Sequence, residues 1–84
     1  MKINLDHVMA KLGFEVWKSE WHRNIYKTDK GEISIIDFVL FDNFDDRKSG
    51  TEPLDLIMYL KDCSRPVAQG ILNKVYKEVN KNGY

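Results

Sequence analysis

The chain has 84 residues, which suffice for one small hydrophobic core, so we predict a single domain over residues 1–84. Hydrophobic residues make up 43% and charged residues 31%, a balance that excludes a disordered chain and is typical of a globular protein. Acidic and basic residues balance at 13 each, and so small a core leaves little room for a deep substrate cleft, which argues against an enzyme.

The first predicted element is a short amphipathic helix over residues 4–12. Its apolar residues recur at helical spacing from Leu5 to Leu12. Asn4 suits the N-cap, and Gly13 suits the position after the last turn. The chain therefore begins with one helical element that has a defined start and stop.

Aromatic and β-branched residues then favour strands around residues 14–17 and 21–26. In the following segment Asp29 precedes Gly31 by two places, which predicts a tight hairpin with Gly31 at positive φ. The next run, residues 33–41, is apolar on both alternating faces, as in a central buried strand. We expect a strand through Ile36, while residues 36–41 fit a strand or a helix.

Residues 42–50 are polar and rich in turn formers, which predicts an exposed acidic loop. Thr51 suits the N-cap of a second helix, with Pro53 in its first turn. Ser64 suits the N-cap of a last helix, whose apolar stripe passes from Val67 to Val75. These elements together predict an α+β fold with an N-terminal helix, a three-stranded antiparallel meander and two C-terminal helices packed on the sheet.

The chemistry-bearing residues do not form a catalytic, metal-binding or cofactor-binding motif. One Cys and two His fall short of a zinc site, and the acidic run at 42–46 lacks the glycine and closing glutamate of a calcium-binding hand. The five glycines are too dispersed for a phosphate-binding loop. We therefore expect a non-enzymatic protein without a cofactor or metal.

Cys63 is the single cysteine, which excludes an internal disulfide and favours a reducing compartment. The N-terminal residues lack the apolar region of a signal peptide, and apolar runs stay far below the ~18 residues of a membrane span. We expect a cytoplasmic protein without a membrane partner. The oligomeric state stays open, with a homodimer among the alternatives.

Residues 51–79 contain two predicted helices joined by a short turn, and the second opens with Ser64-Arg65-Pro66. This pattern resembles the helix-turn-helix DNA-binding domains of bacterial repressors, in which the first turns of the second helix face the major groove. The departure is Gly70, a poor residue for a helix interior, and an ordinary helical hairpin also fits. The resemblance implies that DNA is faced by Ser64, Arg65, Gln69 and Asn73, with Lys74 and Lys77 near phosphates.

A second resemblance rests on Gly-Glu at 31–32, Ile-Asp-Phe-Val at 36–39 and Pro-Leu-Asp-Leu-Ile at 53–57. These segments are similar to the zinc-ribbon domain at the front of bacterial and phage primases. The zinc ligands are absent here, so the resemblance implies a domain that has lost its metal and acts near replication or mobile-element DNA. The resemblance gains weight if residues 36–41 are helical.

Aromatic residues between basic ones suggest another kind of surface. Trp17, Trp21, Tyr26 and Phe44, with nearby lysines and Arg23, could stack unpaired bases, although such aromatics more often form the core of a small sheet. Exposed aromatics could equally anchor a protein partner. The residues of this protein-binding alternative are Asp42, Phe44, Asp45, Asp46, Trp17 and Trp21.

We therefore predict a small accessory protein of a phage or mobile element that associates with nucleic acid through its C-terminal helices. The alternative is a phage-encoded inhibitor or adaptor that binds a host protein, for example an anti-viral defence protein, through the acidic loop and exposed aromatics. The net charge of zero favours this alternative, because dedicated nucleic-acid binders are usually basic.

Overall fold

Asn4 caps the first helix, α1 (Leu5–Lys11), in the computed structural model, which describes residues 3–81. Its side-chain oxygen accepts a hydrogen bond of 2.7 Å from the backbone N–H of Asp6. Gly13, with φ of +93°, follows the last turn in a conformation that glycine adopts readily. The predicted cap and stop of α1 are both confirmed.

Five antiparallel strands follow in sheet order β1-β2-β3-β4-β5, so each strand pairs with its neighbours in sequence. Their bounds are β1 Val16–Glu20, β2 Arg23–Thr28, β3 Gly31–Ile36, β4 Leu40–Asn43 and β5 Lys48–Gly50. The α+β class is therefore correct, whereas the predicted three-stranded meander lacks two strands. The β2–β3 hairpin is confirmed, with Gly31 at φ of +107°.

Residues 36–41 divide between two strands and a turn. Asp37 and Phe38 both have positive φ, +51° and +68°, and the Val39 N–H donates to the Ile36 carbonyl at 3.2 Å. These φ values and this hydrogen bond are typical of a type I′ turn, which usually contains Asn or Gly. Because Ile36 pairs with Leu40, three residues, 37–39, connect β3 and β4. The pair Asp-Phe gives no such signal, so the sequence did not predict the turn. Because the segment is not helical, the condition that favoured the primase resemblance is not met.

The predicted acidic loop is a hairpin, with β4 and β5 joined by residues 44–47. Asn43 stabilises the turn because its side-chain oxygen accepts a hydrogen bond of 3.2 Å from the Asp46 N–H. Gly50 lets β5 lie against Phe41, since a Cβ at this position would meet the Phe41 ring at 3.1 Å. Residues 44–47 are exposed, as predicted, but the pairing of β4 with β5 on either side of them was not predicted.

Helix α2 (Pro53–Lys61) has Glu52 at its N-cap, without a side-chain capping bond, so the prediction of Thr51 as the cap was wrong. Pro53 occupies the first turn, as predicted. Helix α3 (Arg65–Lys81) follows, and all three helices within residues 3–81 pack on one face of the sheet. The buried residues of this core are Ile3, Leu5, Val8, Met9, Tyr26, Ile33, Ile35, Phe41, Leu54, Leu56, Ile57, Ala68, Leu72 and Val75.

The opposite face of the sheet, here called the outer sheet face, is not covered by any helix of the described residues. One row of cross-strand partners runs over this face from β1 to β4. Lys18 lies opposite Ile25, Ile25 opposite Ser34, and Ser34 opposite Asp42. Ile25 is buried although it lies outside the main core, because neighbouring side chains on this face cover it. The molecule therefore has a helix side and a bare sheet side. Between Ile3 and Lys81, the helices fall short of the length and apolar character of a membrane span.

Candidate functional site

The junction between α2 and α3 is tied to the sheet. Asp62 ends α2 in the left-handed region with φ of +49°, and Lys30 of the β2–β3 turn lies 2.6 Å from its carboxylate. Cys63, next in the chain, is half-buried against the core. The junction thereby sets where α3 begins.

All six residues of the predicted nucleic-acid site are exposed: Ser64, Arg65, Gln69, Asn73, Lys74 and Lys77. Ser64 immediately precedes α3, and the others lie on it. Arg65, Gln69 and Asn73 follow at intervals of four residues and so share one side of the helix. Gln69 Nε2 donates a hydrogen bond of 3.0 Å to Asn73 Oδ1, which links the middle of this row.

Lys11 of α1 joins the two lysines of α3. A groove of about 360 Å³ is lined by Lys11, Lys74, Lys77 and Glu78, and Lys11 Nζ lies 2.5 Å from Glu78 Oε1. The sequence analysis missed Lys11 because it lies more than 60 residues from Lys74, and only the packing of α1 beside α3 brings them together. We call Lys11, Arg65, Gln69, Asn73, Lys74 and Lys77 the basic helix face.

The buried side of α3 differs slightly from the predicted stripe. Ala68, Leu72 and Val75 are buried and Ile71 is half-buried, whereas Val67 is 54% exposed. The helix is therefore rotated toward the small side chain of Ala68, which allows close approach to the core. This rotation leaves Val67 exposed on the side of α3 that carries Lys74, away from the row of Arg65, Gln69 and Asn73.

The alternative protein-binding residues are divided among several places. Trp17 lies on β1 and Trp21 in the following turn, where Trp21 is 88% exposed. Asp42 is half-buried in β4, and Phe44, in the β4–β5 turn, is 86% exposed. Asp46 accepts a hydrogen bond from the Tyr59 hydroxyl, so its carboxylate is engaged in holding the turn to α2.

Several of these residues meet in a groove on the outer sheet face. The groove encloses about 450 Å³, and four carboxylates line it against one guanidinium. We call it the acidic sheet groove; its lining residues are Glu20, Arg23, Ile25, Glu32, Ser34, Asp42, Phe44 and Asp45. The sequence analysis had joined Asp42, Phe44 and Asp45. It did not join Glu20, Arg23 and Glu32 with them, because these residues come from β1, β2 and β3.

Base stacking on the sheet is poorly supported by the positions of its aromatic residues. Tyr26 is only 2% exposed and belongs to the core, so it is not a stacking platform. The ammonium nitrogen of Lys27 lies 4.0 Å from the centroid of the Trp17 ring. This cation already occupies one face of the ring, on which a base would have to stack. The acidic sheet groove beside these residues would repel phosphates.

Among the residues that the structure describes, His, Cys, Asp and Glu side chains do not gather in groups of three or more that could hold a metal ion. Comparison with known proteins found no matching family model, curated protein or solved structure. Function is therefore inferred from the two charged surfaces of the chain itself.

Proposed function

We propose that this protein is a non-enzymatic binding protein that associates with nucleic acid through the basic helix face. The observation that carries the proposal is the separation of charge across the sheet. On the helix side, the groove of α1 and α3 is lined by three lysines and one acid, Glu78, whereas four carboxylates and one guanidinium line the acidic sheet groove on the outer side. A chain of zero net charge can thus present one basic surface.

Screening makes this separation effective. The Debye length is about 8 Å at physiological ionic strength, so carboxylates on the far side of the sheet hardly weaken the field at α3. No acidic residue occurs between Arg65 and Lys77 in the sequence. These residues span about 18 Å of helix, which matches a contact along one groove of a duplex.

The residue types of the basic helix face suit both parts of DNA recognition. Arg65 and the two lysines of α3 can neutralise phosphates, which supplies affinity independent of base sequence. Gln69 and Asn73 carry amides that can bond base edges, adenine in particular. Their mutual hydrogen bond holds the two amides in one orientation before binding.

Salt dependence of binding to a short labelled duplex tests the proposal. Three phosphate contacts predict that the logarithm of affinity falls by about 2.7 per decade of salt. Lys74→Ala and Lys77→Ala should each reduce that slope by about 0.9. Gln69→Ala should leave the slope unchanged and reduce discrimination between duplex sequences.

The matched control is Lys48→Ala, because Lys48 is exposed on β5, beside the Tyr59 ring of α2, and does not belong to the basic helix face. This change should leave affinity and slope at their original values. Absence of binding at low salt, or equal effects of the Lys48 and Lys74 changes, would refute a nucleic-acid site on α3.

The acidic sheet groove favours a second candidate function, the binding of a protein with basic side chains. Phe44 projects beside Asp42 and Asp45 as an apolar anchor with 86% exposure, and fully exposed aromatics of this size are common at the centres of protein interfaces. Carboxylates around such an anchor would attract Lys or Arg of the partner. This surface lies on the side of the sheet opposite to α3.

Affinity purification from nuclease-treated extracts of the native host separates the two candidates. A protein partner of the groove should be lost with Phe44→Ser and with Asp45→Asn, and kept with Asp55→Asn on α2. A partner that disappears after nuclease treatment, and that is insensitive to Phe44→Ser, would instead indicate binding mediated by nucleic acid.

A further inference from the structure

Strand β1 is an open edge of the sheet. One side of β1 pairs with β2, and no strand of residues 3–81 lies on its other side; all five of its residues, Val16–Glu20, are exposed. An unpaired edge offers backbone donors and acceptors to another strand, and natural proteins usually protect it. A bulge at Trp17 interrupts the pairing of β1 with β2, but the register is regular from Lys18 to Glu20.

The hairpin geometry shows which backbone groups of β1 face outward. Glu20 pairs with Arg23 across a two-residue loop, so this closing pair exchanges the hydrogen bonds of the hairpin. The next pair, Ser19 with Asn24, is then a non-hydrogen-bonded pair, and its side chains touch, with Ser19 Oγ donating to Asn24 Oδ1 at 2.7 Å. The N–H and C=O of Ser19 therefore point to the open edge.

The sequence of this edge is complementary to itself. In Trp17-Lys18-Ser19-Glu20-Trp21, opposite charges and two tryptophans lie symmetrically about Ser19. Antiparallel pairing of two copies about a two-fold axis at Ser19 places Lys18 opposite the partner's Glu20. The same register brings Trp17, at the bulge, near the partner's Trp21, in the turn that follows β1.

We propose that a second copy of this chain pairs with β1 in this register, which joins two five-stranded sheets into one continuous sheet of ten strands. The symmetric Ser19 pair exchanges its outward N–H and C=O groups. Each Lys18 then meets a carboxylate at a non-hydrogen-bonded position, where side chains across two strands are closest.

Charge selects this register over its neighbours. A two-fold axis at Lys18 would place two lysines opposite each other, and an axis at Glu20 would do the same to two glutamates. A two-fold axis that passes between two neighbouring residues would place side chains of different sheet faces opposite each other. Antiparallel pairing does not allow this, because paired residues have their side chains on the same face. Lysine on an edge normally repels other strands, but here each lysine faces an acid.

The existing contacts of these side chains leave them free to exchange partners. Lys18 Nζ lies 3.4 Å from Glu20 of its own strand, and Arg23 lies 3.5 Å from the same carboxylate, both at the exposed surface. Exposed ion pairs of this kind are weak. Trp17, 50% exposed, and Trp21, 88% exposed, add apolar area at both ends of the paired segment.

Sedimentation and light scattering of the purified full chain test the proposal. We expect a concentration-dependent mass approaching twice 9.9 kDa. K18E and E20K should each weaken the dimer by at least about tenfold, because two attractive pairs become repulsive. The exchange variant K18E/E20K should restore dimerisation.

Mixing the two single variants gives the sharpest result. K18E carries two acids on its edge and E20K carries two bases, so the mixture should form a heterodimer that is tighter than the homodimer of either variant. K48E, on the opposite edge strand β5, is the matched control and should dimerise normally. Circular dichroism melts establish that every variant is folded.

A chain that stays monomeric at all concentrations overturns the proposal. A dimer that tolerates both single reversals, or a mixture of K18E and E20K that stays monomeric, overturns it as well.

Discussion

The Tyr26 hydroxyl donates a hydrogen bond of 2.5 Å to Oδ1 of Asp6, which ties β2 to the first turn of α1. Asn24 Nδ2 donates to the same oxygen at 3.2 Å. Burial raises the pKa of the Tyr26 hydroxyl far above its usual value, and the hydrogen bond and negative charge of Asp6 raise it further. The folded protein therefore keeps this proton into strongly alkaline solution.

Alkaline pH should destabilise the protein through Tyr26. Below about pH 10 both folded and unfolded states hold the proton, so the full stability is present. Above that pH the unfolded state loses the proton first, and the free energy of unfolding falls by up to about 1.4 kcal/mol per pH unit from this group. Urea denaturation at a series of pH values measures the slope.

Tyr26→Phe should reduce the fall of the unfolding free energy with pH above about pH 10. At neutral pH it should cost about 1 to 2 kcal/mol of stability for the lost hydrogen bond. The pKa of Tyr59 is also raised, by burial and by its bond to Asp46, so Tyr59→Phe is the matched comparison. Tyr26→Phe should have the larger effect, since Tyr26 is the more deeply buried. An unchanged slope in Tyr26→Phe would mean that other groups control alkaline unfolding.

Asn43→Ala should lower the free energy of unfolding by about 2 to 3 kcal/mol, because it leaves buried polar groups without partners. Asn43 is 0% exposed, and its Nδ2 donates to the Lys30 carbonyl at 2.7 Å and to the Tyr59 hydroxyl at 3.0 Å. Asn73→Ala, at an exposed position of α3, should cost less than about 0.5 kcal/mol. Thermal melts compare the two, and equal costs would contradict a structural role for Asn43.

Two glycine substitutions should act in opposite directions. Gly70 lies within α3, and an added Cβ would meet no atom within 4 Å, so Gly70→Ala should stabilise the protein by about 0.5 to 1 kcal/mol. Gly31, at φ of +107°, needs a conformation that alanine disfavours, so Gly31→Ala should destabilise it by about 1 kcal/mol or more. Denaturation midpoints measure both, and a destabilising Gly70→Ala would show that the helix is distorted at this position.

Val75→Asp should unfold the domain, whereas Lys74→Ala should leave it folded. Val75 is buried under the sheet and Lys74 is exposed beside it. An unpaired buried carboxylate costs several kcal/mol against a total stability of about 5 kcal/mol for a domain of this size. A cooperative melt near the original temperature for Val75→Asp would place this side of α3 at the surface.

Short-range chemistry determined the parts of the fold that the sequence predicted. Asn4 bonds an N–H two residues away, Gly31 closes a turn that begins at Thr28, and Pro53 fits a first helical turn by its own ring. Each signal acts within a few residues, so each is visible in the sequence alone. The α3 residues of the basic helix face were named from the helix-turn-helix resemblance, and their exposure follows from the helical period of α3.

Only the tertiary structure decided the features that depend on distant partners. The β4–β5 hairpin depends on Asn43, which bonds Lys30 and Tyr59, and the rotation of α3 depends on the core beneath Ala68. Lys11 joins the basic helix face only because α1 packs against α3. The edge position of β1 likewise depends on the order of all five strands. Such contacts couple residues far apart in the chain, so local pattern carries no information about them.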